Sequence, residues 1–355
     1  MTRRRQPIGR RLRPLRVGGV GFFAVFLSAC IEDAPLDSLD PQGPFARRID
    51  DLFWLVFWIA VGIFVLVQAA LVVAVVVFRD RGETPEPRQV HGSPKLEVVW
   101  TIIPALILAV VAVPTVRAIF DLTECGDDVM TVEVIGHQWW FEYRYPDLGI
   151  ETANVLVIPT GREVCAELTS EDVIHSFWVP QLNGKRDQVP GQTNLLRLQA
   201  DQPGEYWGQC AEFCGLSHSL MRTRVQALPP AEFQSWTINQ QTPARPPAAG
   251  TAAAEGLDVF QTRGCIQCHS VDYGPESELT NLIPDDAFAG PNLTHFASRH
   301  VFAGASLPQQ GETYREALTR WLANPPAIKP GSYMPNLALT QQEIDSLIAW
   351  LSTLK

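Results

Sequence analysis

Two apolar runs constrain this chain more than anything else in its 355 residues. Residues 52–78 (LFWLVFWIAVGIFVLVQAALVVAVVVF) contain 27 residues without a charge. Residues 98–116 (VVWTIIPALILAVVAVPTV) contain 19. As helices they span about 40 and about 28 Å, so each can cross a bilayer. A transmembrane hairpin is expected within 45–120, with helices at about 52–78 and 98–120. Pro104 and Pro114 are tolerable in a spanning helix that packs on others. The intervening loop carries Arg79, Arg81, Arg88 and Lys95, whereas the second helix is followed by Asp121, Glu124, Asp127 and Asp128. By the positive-inside rule the loop is cytoplasmic, and everything after 120 lies outside.

Residues 1–29 read as a signal peptide, with a basic stretch (1–16) and a short apolar stretch (17–29). Leu27-Ser28-Ala29-Cys30 resembles a bacterial lipoprotein cleavage box, which makes Cys30 the lipidated first residue of the mature chain. The protein is then expected in a bacterial inner membrane with two spans, its remaining domains in the periplasm. Apolar residues make up 46% and charged residues 19%, which excludes wholesale disorder. The formal net charge is −10, and loss of the seven arginines before residue 30 takes it to −17. That negative charge argues against a nucleic-acid partner held by phosphate attraction and suits a cationic partner.

From 121 to 230 the period changes from helical to alternating. Val129–Ile135, Trp139–Tyr145, Glu163–Thr169, Thr193–Gln199 and Met221–Leu228 read as short strands separated by Gly, Pro, Asn and Asp. A β-sandwich or barrel is expected. Between two strands lie Cys210, Cys214, His218 and Met221, at spacings of four, four and three. Soft sulfur donors beside imidazole select copper or zinc over hard cations, and zinc does not need the thioether. A second thiolate allows both sulfurs to bridge two copper ions, each with one terminal imidazole. His175 is the best candidate for the second imidazole. His137 reads as a hydrogen-bonded strand residue. Cys125 and Cys165 fall outside this pattern. Outside the membrane they are expected as a disulfide pinning the start of the sandwich, with two buried thiols the alternative.

The two-helix anchor, Glu97-Val98-Val99-Trp100-Thr101, Gly136-His137-Gln138-Trp139-Trp140 and the cysteine loop together resemble subunit II of haem–copper cytochrome c oxidase over roughly 45–230. That resemblance implies a cupredoxin-like sandwich with a binuclear CuA centre. In it Cys210 and Cys214 bridge, His175 and His218 are terminal ligands, Met221 is the weak thioether ligand, and Glu212 ligates through its main-chain carbonyl. It further implies that the Glu212 carboxylate reaches a magnesium shared with subunit I. Trp139 matches the aromatic where electrons come in from cytochrome c. Glu97 matches the acid at the cytoplasmic mouth of a proton channel, although an acid at a helix N-terminus also suits the macrodipole.

After a Pro/Ala-rich linker at 231–254, with a short helix over Ala231–Gln240, the pattern is helical from 255 to 355. Glu312–Ala323 reads as one helix, and Thr340-Gln341-Gln342-Glu343 is a capping box opening another. Cys265-Ile266-Gln267-Cys268-His269 is the c-type haem attachment pattern, with His269 under the iron. Met334 is the only Met of this domain and the expected sixth ligand; His295 and His300 are expected on the surface. The arrangement resembles a class I cytochrome c.

The whole is therefore expected as a multidomain membrane protein with a transmembrane hairpin, a cupredoxin-like β-sandwich and an all-α class I cytochrome c domain. It resembles oxidase subunits II with a fused cytochrome c. This implies electrons from a cytochrome c-type donor or cytochrome bc complex passing through covalent haem c and CuA to the haem of subunit I, in a proton-translocating complex with other oxidase subunits. A membrane-tethered electron carrier or copper protein serving no oxidase is the alternative. Residues 121–230 hold seven basic and sixteen acidic side chains, and residues 251–355 six and eleven, which suits a basic donor.

Overall fold

The computed structural model describes residues 34–79, 89, 92–126, 128–274 and 290–355. The expected signal peptide, Cys30, and Arg81 and Arg88 of the loop lie outside the described residues. Helices α1 (Pro44–Val77) and α2 (Pro94–Thr123) run side by side, with mean hydropathies of 2.9 and 2.5. Both extend beyond the apolar runs. The first turns of α1 grip the sandwich instead of lipid: Phe45 is buried beneath the Arg197 guanidinium, 4.5 Å from the ring centre. Arg47 pairs with Asp201, and Arg48 Nη2 lies 3.0 Å from Asp121 Oδ2. Trp54 and Trp58 stack at the sandwich end of the apolar stretch, where an aromatic belt belongs at a membrane boundary.

The sandwich has ten strands: β1 (Met130–His137), β2 (Trp140–Tyr145), β3 (Ile150–Ala153), β4 (Val155–Pro159), β5 (Val164–Ser170), β6 (His175–Trp178), β7 (Arg186–Gln188), β8 (Asn194–Leu198), β9 (Gly204–Cys210) and β10 (Arg222–Leu228). They form two five-stranded sheets, β3-β2-β1-β5-β8 and β4-β10-β9-β6-β7. Strand β1 runs parallel to β5, and β10 parallel to β4. Alternate residues of β2 (Phe141, Tyr143, Tyr145) enter the core against Leu156, Ile158, Leu168 and Phe177. The Tyr143 hydroxyl pays for its burial by bonding Thr223 on the opposite sheet, and Tyr145 Oη donates to Val157 O at 2.8 Å.

Helix α3 (Pro230–Gln240) packs Trp236 on Tyr145, with ring centres 5.3 Å apart. Among the described residues four α-helices follow: α4 (Ala252–Thr262), α5 (Tyr314–Ala323), α6 (Pro325–Ile328) and α7 (Gln341–Leu351). Capping boxes open α5 at Thr313/Glu316 and α7 at Thr340/Glu343. Helices α4 and α7 cross around Phe260 and the fully buried Trp350, whose indole donates to Tyr273 Oη at 3.0 Å. This helical unit lies on the outer face of the second sheet, where Val301 and Ala305 bury Val155 and Val157. His300 pairs there with Glu205 and is part-exposed. His295 departs from expectation. It is 3% exposed because the seam between the units covers it, its ring nitrogens 2.9 Å from Lys355 O and 3.1 Å from Gln240 O.

Candidate metal and haem sites

Strand β6 delivers His175 to the end of the second sheet, beside the loop that follows β9. Cys210 ends β9, and the short loop Ala211-Glu212-Phe213 brings Cys214 back beside it, with the sulfurs 3.7 Å apart. Each sulfur faces one imidazole: Cys210 Sγ is 3.9 Å from His175 Nδ1, and Cys214 Sγ is 3.5 Å from His218 Nδ1. Met221 Sδ lies 3.9 Å from Cys214 Sγ, and Glu212 O lies 3.2 Å from Cys210 Sγ. His175, Cys210, Cys214 and Met221 are buried, so few soft donors are wasted on water. Glu212 is exposed.

The donors fit copper. The two thiols are coupled: the bond from Cys214 holds the Cys210 thiol below the usual thiol range, and the same bond together with burial pushes Cys214 up. A soft cation would take the place of the thiol protons. Burial alone would lower the His175 pKa, but its bonds to Asp172 and Cys210 outweigh burial and raise it.

Asp172, which sequence reasoning passed over, is the outer partner. Its Oδ1 lies 2.7 Å from His175 Nε2, which fixes the tautomer that leaves Nδ1 free for metal. Asp172→Asn keeps an acceptor for the Gln138 amide (2.6 Å in the native chain), yet can donate to Nε2 and favour the wrong tautomer. Copper affinity is expected to fall about 10–100-fold. Chelator competition checks it, and unchanged affinity would remove this role.

Trp139 is only 6% exposed. Its indole donates to Cys214 O at 2.9 Å, and the Gln138 side-chain amide donates to the same oxygen at 2.7 Å. Trp139 thus touches the metal loop through one hydrogen bond. Glu97 stands in the first turn of α2, at the end of the hairpin remote from the sandwich. His137 Nε2 bonds Glu142 at 2.8 Å within the first sheet. Cys125 and Cys165 form a disulfide.

In the helical unit a short turn carries Cys265 (half-buried) and Cys268 (exposed). His269 Nδ1 lies 2.8 Å from Pro291 O, an arrangement that commits Nδ1–H and leaves Nε2 for iron. Burial pushes the His269 pKa down, so the imidazole is neutral and ready to ligate. Met334 packs on the same helical core as Cys265 and Phe260. Arg299 is 6% exposed, and its Nε and Nη2 have no partner among the described residues. A haem propionate would satisfy such an orphaned guanidinium. Nothing in the sequence around Arg299 announces its burial.

Fold and site together define a membrane-anchored protein that joins a sulfur–imidazole copper site to a c-type haem domain. Three family profiles match: cytochrome c oxidase subunit II, transmembrane domain, over 37–118; its periplasmic domain over 149–228; and cytochrome c over 253–355. Cytochrome c oxidase subunit 2 of Alkalihalophilus pseudofirmus is 36% identical over 344 residues, covering 95% of this chain and 96% of the relative. The subunit 2 of a Bacillus species is 37% identical over 297 residues, covering 78% and 79%. The solved periplasmic domain of subunit II of cytochrome oxidase from Bradyrhizobium japonicum is 29% identical, covering 34% of this chain and 97% of that one, with TM-score 0.32. The chain belongs to the cytochrome c oxidase subunit II family and carries a cytochrome c domain at its C-terminal end. It is accordingly an oxidase subunit in a membrane, with two spans, associated with other oxidase subunits, and copper and haem c are its implied cofactors.

Proposed function

We propose that the chain is the electron-input subunit of a proton-translocating respiratory oxidase. A cytochrome c-type donor or cytochrome bc complex delivers electrons to the covalent haem c, which pass to a binuclear CuA centre and on to the haem of subunit I for oxygen reduction. The observation that carries this reading is the pair of sulfurs 3.7 Å apart, each facing its own imidazole. Two copper ions held by these thiolates and imidazoles would supply one-electron transfer there.

The residues of this chain then divide the work. Cys210, Cys214, His175, His218, Met221 and the Glu212 carbonyl hold the copper pair, and Asp172 orients His175. The exposed Glu212 carboxylate is free to reach a magnesium at the boundary with subunit I. Cys265 and Cys268 attach the haem, His269 and Met334 ligate it, and Trp139 links the two domains. Glu97 serves the mouth of a proton channel on the cytoplasmic side. The sandwich (121–230) and the haem domain (255–355), joined by 231–254, lie on the periplasmic side of a bacterial inner membrane. Cleavage after residue 29 leaves a lipidated Cys30.

Electron paramagnetic resonance on the full chain, loaded with copper and haem, tests the reading. Copper hyperfine structure shared between two equivalent nuclei is expected beside a low-spin ferric haem signal. A weak sulfur-to-iron band near the red end of the ferric spectrum would accompany it. A single-copper pattern would sink the binuclear assignment, and absence of the red band would argue for two histidines on the iron.

A further inference from the structure

The two outside domains meet around a buried lysine. Lys329, immediately after α6, is 4% exposed. Its Nζ donates to the Trp139 carbonyl and, at 3.0 Å, to the Ala303 carbonyl. Among the described residues no carboxylate pairs with it. Burial pushes its pKa down to about 7, with the Cys214 thiol pulling the other way. A buried amine left without its acceptors is costly, so this contact is strong only while both carbonyls stay in place.

Two loops of the haem domain close on Trp139 from either side of Lys329. In the first, the Arg222 amide donates to Gly304 O at 2.8 Å, and the Ser306 hydroxyl donates to Leu220 O. In the second, the Ser217 hydroxyl donates to Pro330 O at 2.6 Å, and Tyr333 Oη donates to Gln138 Oε1 at 3.2 Å. Each loop turns on a glycine in the left-handed region, Gly304 at φ +71° and Gly331 at φ +80°. A Cβ on Gly331 would stand 2.7 Å from the Trp139 ring. Only glycine lets the backbone lie this close to the indole. Met334 follows three residues later.

We propose that Lys329 is a positioning residue. It clamps the Met334 loop onto the Trp139 indole, so the haem domain works from one fixed dock and a diffusing protein cannot reach Trp139. An outside donor must then deliver to the haem domain. The linker confines the haem domain to the neighbourhood of the copper domain, and the clamp removes the remaining search. The role given to Trp139 and Met334 rests on the electron-transfer reading; the dock itself does not.

Lys329→Met in the full chain tests the clamp. It keeps the aliphatic stem but leaves the Trp139 and Ala303 carbonyls without their donor. In the native protein the Arg222 amide should be protected from hydrogen exchange by its bond across the domain boundary. In the variant its exchange should rise at least about tenfold, with the amides of β1 and α7 and the haem and copper spectra unchanged. Electron passage from haem domain to copper domain should slow by about tenfold, the factor that loss of one buried hydrogen-bonded contact corresponds to. Gly304→Ala, which puts a Cβ 2.8 Å from Leu220 O, should reproduce both effects from the other loop. Rapid Arg222 exchange in the native chain would overturn the proposal, because the domain would then be swinging. So would a Lys329→Met variant with native protection and native transfer. If a variant fails to load haem, Arg222 exchange in the unloaded native and variant chains decides by the same criterion. Native protection without any electron passage would uphold the dock and remove the electron-transfer reading.

Discussion

Cys214→Ser abolishes the two-copper signature and takes oxygen uptake down by more than the about 10–100-fold that loss of an outer partner such as Asp172 costs. A serine hydroxyl keeps its proton at neutral pH, is a harder donor, and cannot bridge two soft ions as a thiolate does. The sulfur lost is the one that faces both His218 and Met221, so one imidazole and the thioether lose their anchor with it. The fold is expected to persist, because the loop is held through the Cys214 main chain, whose carbonyl accepts from Trp139 and Gln138. Metal analysis, paramagnetic resonance and oxygen uptake on one preparation check the prediction. Two coppers per chain with the shared hyperfine pattern intact would refute it. Cys210→Ser should match it, since the two sulfurs act as one unit and effects within a unit do not add.

What was legible in the sequence was local. Cys210, Cys214, His218 and Met221 stand in one loop, and their spacing alone carries the chemistry; the same holds for Cys265, Cys268 and His269. His175 comes from a strand 35 residues before Cys210 and could be reached only because a second imidazole was required. The strands read from alternation have one wet face. β4 is buried at all five positions and shows no alternation, and β6 has four residues, too short for a period to register. β9 contains two glycines that break its pattern. Helix α1 begins eight residues before its apolar run because Arg47 pairs with Asp201 of the sandwich and Arg48 with Asp121 at the end of α2, partners no local window contains. Lys329 and His295 are the extreme cases. A single lysine before a proline and a histidine in a loop read as solvated, and only the docking of one domain on another buries them. Long-range contact, not composition, decides such positions.

Removing the disulfide is the largest stability effect expected outside the metal loop. Cys125 follows the end of α2, and Cys165 lies in β5 opposite Thr131 of β1. The bridge closes a loop of 40 residues that contains the whole β1–β4 stretch. Chain entropy for a loop of that size corresponds to about 4 kcal/mol, and measured values run at about 2–4. The double variant Cys125→Ser/Cys165→Ser is therefore expected to lose about 2–4 kcal/mol and about 10–30 °C in Tm. Both cysteines must be replaced together, because in an oxidising compartment a lone thiol could be oxidised into a mispaired disulfide with Cys210 or Cys214. Thermal unfolding with and without reductant checks the effect: reductant should lower the native Tm toward that of the variant and leave the variant unmoved. Copper loading should survive, because β6, β9 and the cysteine loop lie outside the closed segment. The exit of α2 should loosen only in part. Arg48 still pairs with Asp121, and Arg197 Nη1 still donates to Asp121 O at 2.7 Å. An unreduced peptide map of the native protein without the cross-linked pair would sink the prediction. It would also count against the periplasmic placement of the sandwich, since that is where such a bond persists.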